Sequence, residues 1–597
     1  MCGIVAWAKR HGCIDQRELS RATLALRHRG PDHQQTMLWR PASPPILAAP
    51  DPFDQSGKSG TVGLGHTRLS VVDLDSRSNQ PMLAAEGRYC LVYNGEIYNF
   101  RDVRLELEGC GRTFHTTSDT EVLLYSLIEW GAAATRKFNG MWAFAFFDTV
   151  ARTILLSRDR YGKKPLYYWL DHEDFVAASE YKGIFGAIGE GRRELDPSFV
   201  EVFLRTTRWR VPTEDSSAYV GVRALPPGST AVYRYDDHTL TIDRNNSLWD
   251  CLVPPDASPR SLFSDIEQAV HSRLAADVPV AVLVSGGVDS SAVAAYAAAS
   301  HANVTPSLRW YTGITESGND LEYSRQVAHA LQVPLVEVDV RTKPDTIASL
   351  MERMTEFYEL PVWLNGNCIA MFQMYQRMAA DGVRVVLDGT GGDEVFGGYF
   401  TMFGENVVAS LLADGRASEA LAFVNDCERY GHCEIAPLLR QMTLSKPDKP
   451  QLVQAQMDFI ETGSLPHWLV MNDINSMAHS VEARSPLLDC RLAKYISLPT
   501  EGKFRQGFNK YLLRESLPAI VPDAVRWRRD KQGFRWSRGR LYEVMHDSIQ
   551  QTIDRCSLLR TYFPEDIRQL ASKNQPDILR LFAVAELERV NARRRFG

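Results

Sequence analysis

With 597 residues, 44% of them hydrophobic and 23% charged, the chain has the balance of a globular protein with enough apolar surface for more than one core, and disorder is excluded as its main theme. Lys and Arg total 67 against 73 Asp and Glu, a net −6 spread without long like-charge blocks, so no general basic field points to nucleic acid or an anionic membrane; small molecules are the expected partners. Ten thinly scattered cysteines are not a secreted disulfide scaffold, no apolar stretch reaches the roughly 18 residues that span a bilayer, and the first residues do not read as a signal peptide, so a reducing cytoplasm is expected.

From residue 1 to about 248 the pattern predicts short strands, broken by Gly, Pro, Asn and Asp, at Val62–His66, Arg88–Tyr93, Met141–Asp148, Thr153–Arg158, Leu166–Leu170 and Ser229–Tyr235. Helical periods stand out at Ile14–Arg27 and Asp119–Trp130. An antiparallel, β-rich domain over 1–248 follows. The Pro-containing stretch Leu248–Pro259 is the boundary, and a second domain fills 249–597. There the texture changes to an apolar strand Val280–Val284, a Gly-rich turn and an Ala-rich helix Ser290–Ser300, then strands near Leu308–Thr312, Leu335–Val340 and Val383–Leu387 with helical stretches between. That alternation predicts a parallel sheet covered by helices, and beyond Phe400 the chain reads as mostly helical.

Cys2 follows the initiator Met, and trimming of Met would leave one residue carrying both a thiol and an α-amine, a nucleophile beside a base of unperturbed pKa about 7.7–8.0. A lone cysteine is most often a packing residue. This one has company: His28–Asp32 (HRGPD), Gly65–Ser70 (GHTRLS), Asn94–Asn99 (NGEIYN), Ser118–Asp119 and Arg158–Gly162 (RDRYG). Taken by itself, Asn94–Gly95 also suits a type I′ hairpin turn. Over residues 2–185 the set resembles the class II glutamine amidotransferase domain, an α+β N-terminal nucleophile hydrolase fold of stacked antiparallel sheets with helices. The resemblance implies that Arg68 grips the glutamine α-carboxylate, that Glu96 and Asp119 hold its ammonium, and that Cys2 attacks the side-chain amide while the Asn94 side chain and Gly95 N–H receive the oxyanion.

Ser285-Gly286-Gly287-Val288-Asp289-Ser290-Ser291 follows a buried strand and opens a helix, so N–H groups and hydroxyls converge as an anion cradle without the lysine of a Walker A loop. The pattern is similar to the PP-loop of ATP pyrophosphatases. Downstream stand Asp388-Gly389-Thr390-Gly391-Gly392-Asp393-Glu394, the motif Ser480–Asp489 (SVEARSPLLD), Lys510 and Lys531–Phe534 (KQGF). In this order the two halves resemble glutamine-dependent asparagine synthetase over nearly the whole chain. That implies ATP bound at Leu283, Ser285, Gly286, Gly287, Asp289, Ser290, Ser291, Thr312 and Gly389, and Mg²⁺ held by Asp289 and Asp393. Lys510 would face the departing pyrophosphate, and the acceptor carboxylate would lie at Asp388 and Thr390. The expected reaction is amide formation from glutamine, ATP and an acceptor carboxylate, releasing glutamate, AMP and pyrophosphate.

One position departs from the family. Its synthetases generally read Ser-Gly-Glu-Gly where Asp388-Gly389-Thr390-Gly391 stands, so the glutamate beside the reacting carbonyl is absent and a carboxylate other than aspartate, from a peptide, sugar or natural-product pathway, is an alternative acceptor. The long helical stretch 400–466 gives room for an enlarged acceptor pocket or a homodimer contact. Two other classes share parts of the pattern: an intramolecular amide-forming relative without glutaminase, opposed by Cys2, Arg68, Asn94 and Asp119, and a noncatalytic glutamine or nucleotide sensor, opposed by Asp289, Asp393 and Lys510. The basic, aromatic stretch Arg526–Arg540 is read as polyphosphate-facing rather than nucleic-acid-binding, Cys427 with His432 and Cys433 as ordinary residues rather than a zinc site, and Arg593–Arg595 as a solvated terminus.

Overall fold

The computed structural model describes residues 2–205, 213, 215–254, 256, 258–300, 308–316, 318–341, 344–361, 366–432, 434–444, 451–531, 538–562 and 575–596. The Gln532–Phe534 part of the KQGF motif, most of Arg526–Arg540 beyond Lys531, and Cys433 therefore lie outside the described residues or are described only in part.

The first half is four layers deep. A seven-stranded antiparallel sheet runs in the order 222–224, 167–170, 174–178, β1 (Gly3–Lys9), β2 (Val62–Arg68), 33–39, 46–48. A six-stranded antiparallel sheet runs 239–243, 230–234, 153–158, then Gly140–Asp148 (β4), Tyr89–Ile97 (β3) and 82–84. Strand periodicity explains the stacking. On β1 the even residues Ile4, Ala6 and Ala8 meet Cys90, Val92, Ala143, Ala145 and Phe147 of the other sheet, while the odd residues Val5 and Trp7 meet an outer helix layer that includes α1 (Gln16–Leu24). On β3 and β4 the complementary set Leu91, Tyr93, Trp142 and Phe144 packs under helices Phe100–Gly109 and α2 (Asp119–Trp130). Both faces of the central strands are thus buried while the edge strands 46–48 and 239–243 stay largely exposed, the layering expected of the α+β half.

α1 covers only Gln16–Leu24 of the predicted Ile14–Arg27, because Ile14 and Asp15 pair with Gly60 and Ser59 and Asp15 caps the helix, and three further helices of this half are short: Phe100–Gly109, Tyr181–Ile188 and Pro197–Arg205. Phe100–Gly109 buries only Phe100, Val103 and Leu107, a stripe of one residue per turn.

The second half is built on a five-stranded parallel sheet with β5 (Val280–Leu283), β6 (Leu308–Ile314), β7 (Leu335–Asp339), β8 (Val385–Leu387) and β9 (Glu482–Arg484) in the order β7-β6-β5-β8-β9. β5 is continuously apolar because helices cover both faces, among them α3 (Val288–Ser300), α4 (Gly366–Ala380) and α5 (Ser464–Met477). Strand β9 was not foreseen: Glu482 and Arg484 do not read as a buried strand, and they are tolerated there because they pair with each other at 2.6 Å.

The cores of the two halves are not separate. One cluster joins Val5, Trp7, Ile184 and Phe185 to Phe372, Val470, Ile549 and Phe582 of the C-terminal helices. At the arginine-rich end Arg593 and Arg595 are exposed, as expected, though Arg593 pairs with Glu352, whereas Arg594 is drawn in: its Nη1 donates to Glu359 at 2.6 Å, because Glu359 is buried beside Arg193 and takes a second cation. No described helix is long and apolar enough to cross a membrane. The described cysteines are free thiols. No described group of three or more His, Cys, Asp or Glu residues could hold a metal, and His432 stacks on Phe400 at 4.0 Å.

Candidate active sites

Cys2 sits at the head of β1, 8% exposed, where burial pushes its thiol up against the pull of the Leu69 backbone and the Arg68 guanidinium. Its backbone is clamped at both ends: the N–H donates to Asn94 Oδ1 at 2.9 Å, and the carbonyl accepts from Arg29 Nε at 3.0 Å. Asn94 and Gly95 lie inside β3, opposite Ala143 and Trp142 of β4, so the hairpin alternative is excluded. With Oδ1 engaged, the Asn94 amide turns Nδ2 into a buried position where it has no hydrogen-bond partner. Gly95 is required sterically, since a Cβ there would lie 2.1 Å from the Met141 carbonyl oxygen.

Two further residues come from the ends of elements. Ser118 caps α2 by accepting from Thr120 N, which puts Asp119 in the first turn, where its Oδ2 accepts from Tyr93 Oη at 2.9 Å and Ile97 N at 3.0 Å. Burial pushes Asp119 up to about 6; burial and then the Asp119 charge raise Glu96 well above the carboxylate range, against the opposing pull of Arg484. Two adjacent buried carboxylates without a full set of cations are poised to receive one. Arg68 closes this end, its Nη1 donating to Asp75 O at 2.9 Å and Asn79 Oδ1 at 2.7 Å and its Nη2 to Asp73 O.

In the second half the turn from β5 into α3 is tied by Ser290, whose Oγ accepts from Ser285 N at 3.1 Å and donates to Gly287 O at 3.1 Å. Two buried polar atoms of this turn, Asp289 Oδ1 and Ser291 Oγ, have no hydrogen-bond partner. Lys510, buried and left-handed at φ 50°, lies between Asp289 Oδ2 (2.5 Å) and Asp393 Oδ1 (2.7 Å). Asp393 is drawn below its usual range because Lys510 and Lys531 outweigh its burial, whereas burial beside Asp393 lifts Glu394 to about 8. Gly392 must be glycine, as its Cβ would lie 2.5 Å from Asp289 Cγ.

A cavity of about 440 Å³ opens here and brings together Leu283, Ser285, Asp289, Ser290, Thr312, Asp388, Gly389, Thr390 and Asp393. Gly286, Gly287, Ser291 and Lys510 are not among its lining residues; Lys510 adjoins it through Asp289 and Asp393. Thr312 Oγ1 donates to Ser324 Oγ at 3.1 Å. Asp388 is occupied by protein: Oδ1 accepts from Thr390 N at 3.0 Å and Ser485 Oγ at 2.8 Å, and Oδ2 from Asn472 Nδ2 at 2.7 Å.

The contacts between the two sites are what residue-by-residue reading missed. Arg484 donates from β9 to Glu482 at 2.6 Å, to the carbonyls of Arg273 and Ala275 at 2.7 Å, and to Glu96 of the first site at 3.4 Å. Arg29, fully buried, holds Glu180 at 2.7 Å and reaches Asp473 of α5 at 2.9 Å. Asp489 takes Arg273 at 2.5 Å and Asn139 at 3.0 Å. The only trace of this in the sequence was the charge content of SVEARSPLLD within an apolar frame.

Residues 262–587 match the asparagine synthase family model, and residues 50–244 match that of the glutamine amidotransferase domain. Asparagine synthetase [glutamine-hydrolyzing] 1 of Bacillus subtilis is 27% identical over 92% of this chain and 90% of that protein. A putative asparagine synthetase of Mycobacterium bovis is 29% identical (89% and 87%), and amidase chyE of Penicillium rubens is 28% identical (78% and 80%). Among solved structures, glutamine phosphoribosylpyrophosphate amidotransferase of B. subtilis is 16% identical with a TM-score of 0.31, over 56% of this chain and 65% of that one.

Proposed function

We propose, on the premise that this chain belongs to the asparagine synthase family, that it is a glutamine-hydrolysing, ATP-dependent amide synthetase with a glutaminase half (1–248) and a synthetase half (249–597). The observation that carries the reading is that buried polar atoms stand without a partner at both reaction centres: Asn94 Nδ2 beside Cys2, and Asp289 Oδ1 with Ser291 Oγ at the β5–α3 turn. Orphaned buried donors and acceptors are costly unless a ligand completes them.

In the first half, removal of Met1 turns the Cys2 nitrogen into an amine that takes the thiol proton. The thiolate attacks the glutamine side-chain carbonyl, whose oxyanion is met by Asn94 Nδ2 and Gly95 N–H. The Cys2 ammonium returns its proton to the leaving nitrogen, collapse to a γ-glutamyl thioester expels ammonia, and water then releases glutamate and restores the thiol. Arg68 with Glu96 and Asp119 holds the zwitterionic end of glutamine.

In the second half ATP lies over residues 285–291, with its adenine between the strand ends at Leu283 and Thr312 and its phosphates toward Ser290, Ser291 and Gly389. Two carboxylates, one with an unpartnered buried oxygen, suit Mg²⁺, which characteristically takes its remaining ligands from phosphate and water; Asp289 and Asp393 would hold it, and it would screen polyphosphate charge. An acceptor carboxylate oxygen attacks the α-phosphorus. Pyrophosphate leaves beside Lys510, and ammonia then attacks the acyl-adenylate carbonyl, expelling AMP and losing a proton. A cytoplasmic setting suits the free thiols and the ATP requirement, and Met402, Leu421 and Leu438, exposed on the 400–466 helices, offer a homodimer surface.

Cys2→Ala tests the division of labour. Glutamine-dependent amide formation is lost while the ammonium-supplied reaction continues, and ATP yields AMP and pyrophosphate. Glutamine hydrolysis at the wild-type rate, or ADP and phosphate as products, overturns the reading.

A further inference from the structure

The acceptor end of the synthetase cavity differs in chemistry from the glutamine site of the same chain. A free amino acid carries a carboxylate and an ammonium, and burying either without a partner is costly. The first site supplies such partners in Arg68, Glu96 and Asp119. Around the second cavity the one cation among the described lining residues is Lys531, and it stands at the phosphate end: a Cβ on Gly287 would lie 2.8 Å from its Nζ.

The wall beyond Thr390 is made by one face of α4 and one face of α5, Cys368, Met371 and Met374 on the first and Trp468 and Met471 on the second, spaced three residues apart. Three amides share this wall, Asn367 on α4 and Asn472 and Asn475 on α5, and the protein itself uses the last two. Asn472 accepts from Tyr375 Oη at 2.6 Å and donates to Asp388 at 2.7 Å, and Asn475 accepts from Tyr358 Oη at 2.7 Å and donates to Cys368 O at 3.3 Å. Asp388, at the head of the Gly-rich turn, has hydrogen bonds on both oxygens, and of the other carboxylates that line the cavity Asp393 is held by Lys510 and Glu394 accepts from Tyr399 Oη at 3.1 Å. Apart from the uncharged amide of Asn367, what the wall offers a substrate is sulfur and aromatic carbon, a surface that adapts to apolar shapes.

From this wall we infer, resting on the proposed amide synthetase reading, that the acceptor is a monocarboxylate carried on an uncharged, apolar body, and not aspartate. Such a molecule leaves its single charge at the reacting end, toward the adenylate, and buries the remainder against Met371, Met374, Met471 and Trp468. Aspartate would bring its ammonium and second carboxylate to the same sulfur and ring surface.

The test uses the full-length protein with ATP, Mg²⁺ and ammonium chloride, so that the glutaminase is bypassed, and reads pyrophosphate release with 3-phenylpropanoate, hexanoate, aspartate or glutamate. The apolar monocarboxylates are expected to exceed aspartate by roughly 10² in kcat/KM, with the matching amide found by mass spectrometry. Preference for aspartate or glutamate, or no stimulation by either apolar acid, overturns this inference while leaving the amide synthetase reading intact; ADP and phosphate as products overturn that reading instead. Met371→Arg supplies the cation this wall lacks, and it should shift the 3-phenylpropanoate to aspartate ratio of kcat/KM at least tenfold toward aspartate. Loss of folded protein cancels in that ratio, and an unchanged ratio refutes the assignment.

Discussion

Asn94→Ala is the sharpest test of the glutaminase geometry, because the side chain does two separable things. Its Oδ1 holds the Cys2 N–H at 2.9 Å, an ordinary hydrogen bond worth about 1 kcal/mol. Its Nδ2 is buried and bonded to nothing in the free protein, so removing it sacrifices no ground-state contact. The cost must then fall in the transition state. Loss of one oxyanion donor lowers kcat by roughly 10²–10³, about 2.7–4 kcal/mol, and kcat and kcat/KM should fall together, the signature of an interaction made only on the way to the tetrahedral intermediate. Asn94→Asp keeps an oxygen for the Cys2 N–H but aims negative charge at the oxyanion, and should fall at least as far as alanine. The assay is glutamate release from glutamine, with ammonium-supplied amide formation in the same preparation as the reference. A loss of less than about threefold in kcat, or a change confined to KM, refutes the reasoning.

Three other outcomes follow from the same geometry. Asp119, pushed up to about 6 by burial, must be ionised to hold an ammonium, so kcat/KM for glutamine should drop about tenfold per pH unit below 6, and Asp119→Asn should remove that limb; a flat profile between pH 5 and 7 contradicts the assignment. Asp289→Asn and Asp393→Asn should each stop AMP formation while glutamine hydrolysis persists, as followed by nucleotide chromatography. Arg484→Met leaves Glu482 and Glu96 buried without their shared cation, which should cost about 3–5 kcal/mol and lower the denaturant midpoint of the first unfolding transition; an unchanged midpoint counts against this contact as a structural tie between the halves.

Much of the architecture was legible because it is local. Alternation of apolar residues announced the strands of the first half, and the strand, Gly-rich turn and Ala-rich helix around Ser285–Ser291 are contiguous in the chain, so period and turn chemistry suffice to place them. Asp119–Trp130 begins where its Ser118 cap says it should. Short elements were less visible: a ten-residue helix such as Phe100–Gly109 shows only three apolar turns, and a three-residue strand such as Glu482–Arg484 shows no apolar run at all.

What the sequence by itself determined was therefore the inventory: two halves, a cysteine with its companion motifs, and an anion cradle with its carboxylates and lysine. Tertiary structure alone decided how these meet. It placed Asn94 inside a strand rather than a turn, carried Arg484 across 388 positions to Glu96 and Asp473 across 444 to Arg29, and set methionines of α4 and α5 around Thr390. The physical reason is that the period of a strand or helix is written in neighbouring residues. A buried charge or an apolar wall instead takes its meaning from partners that only packing brings within a few ångströms.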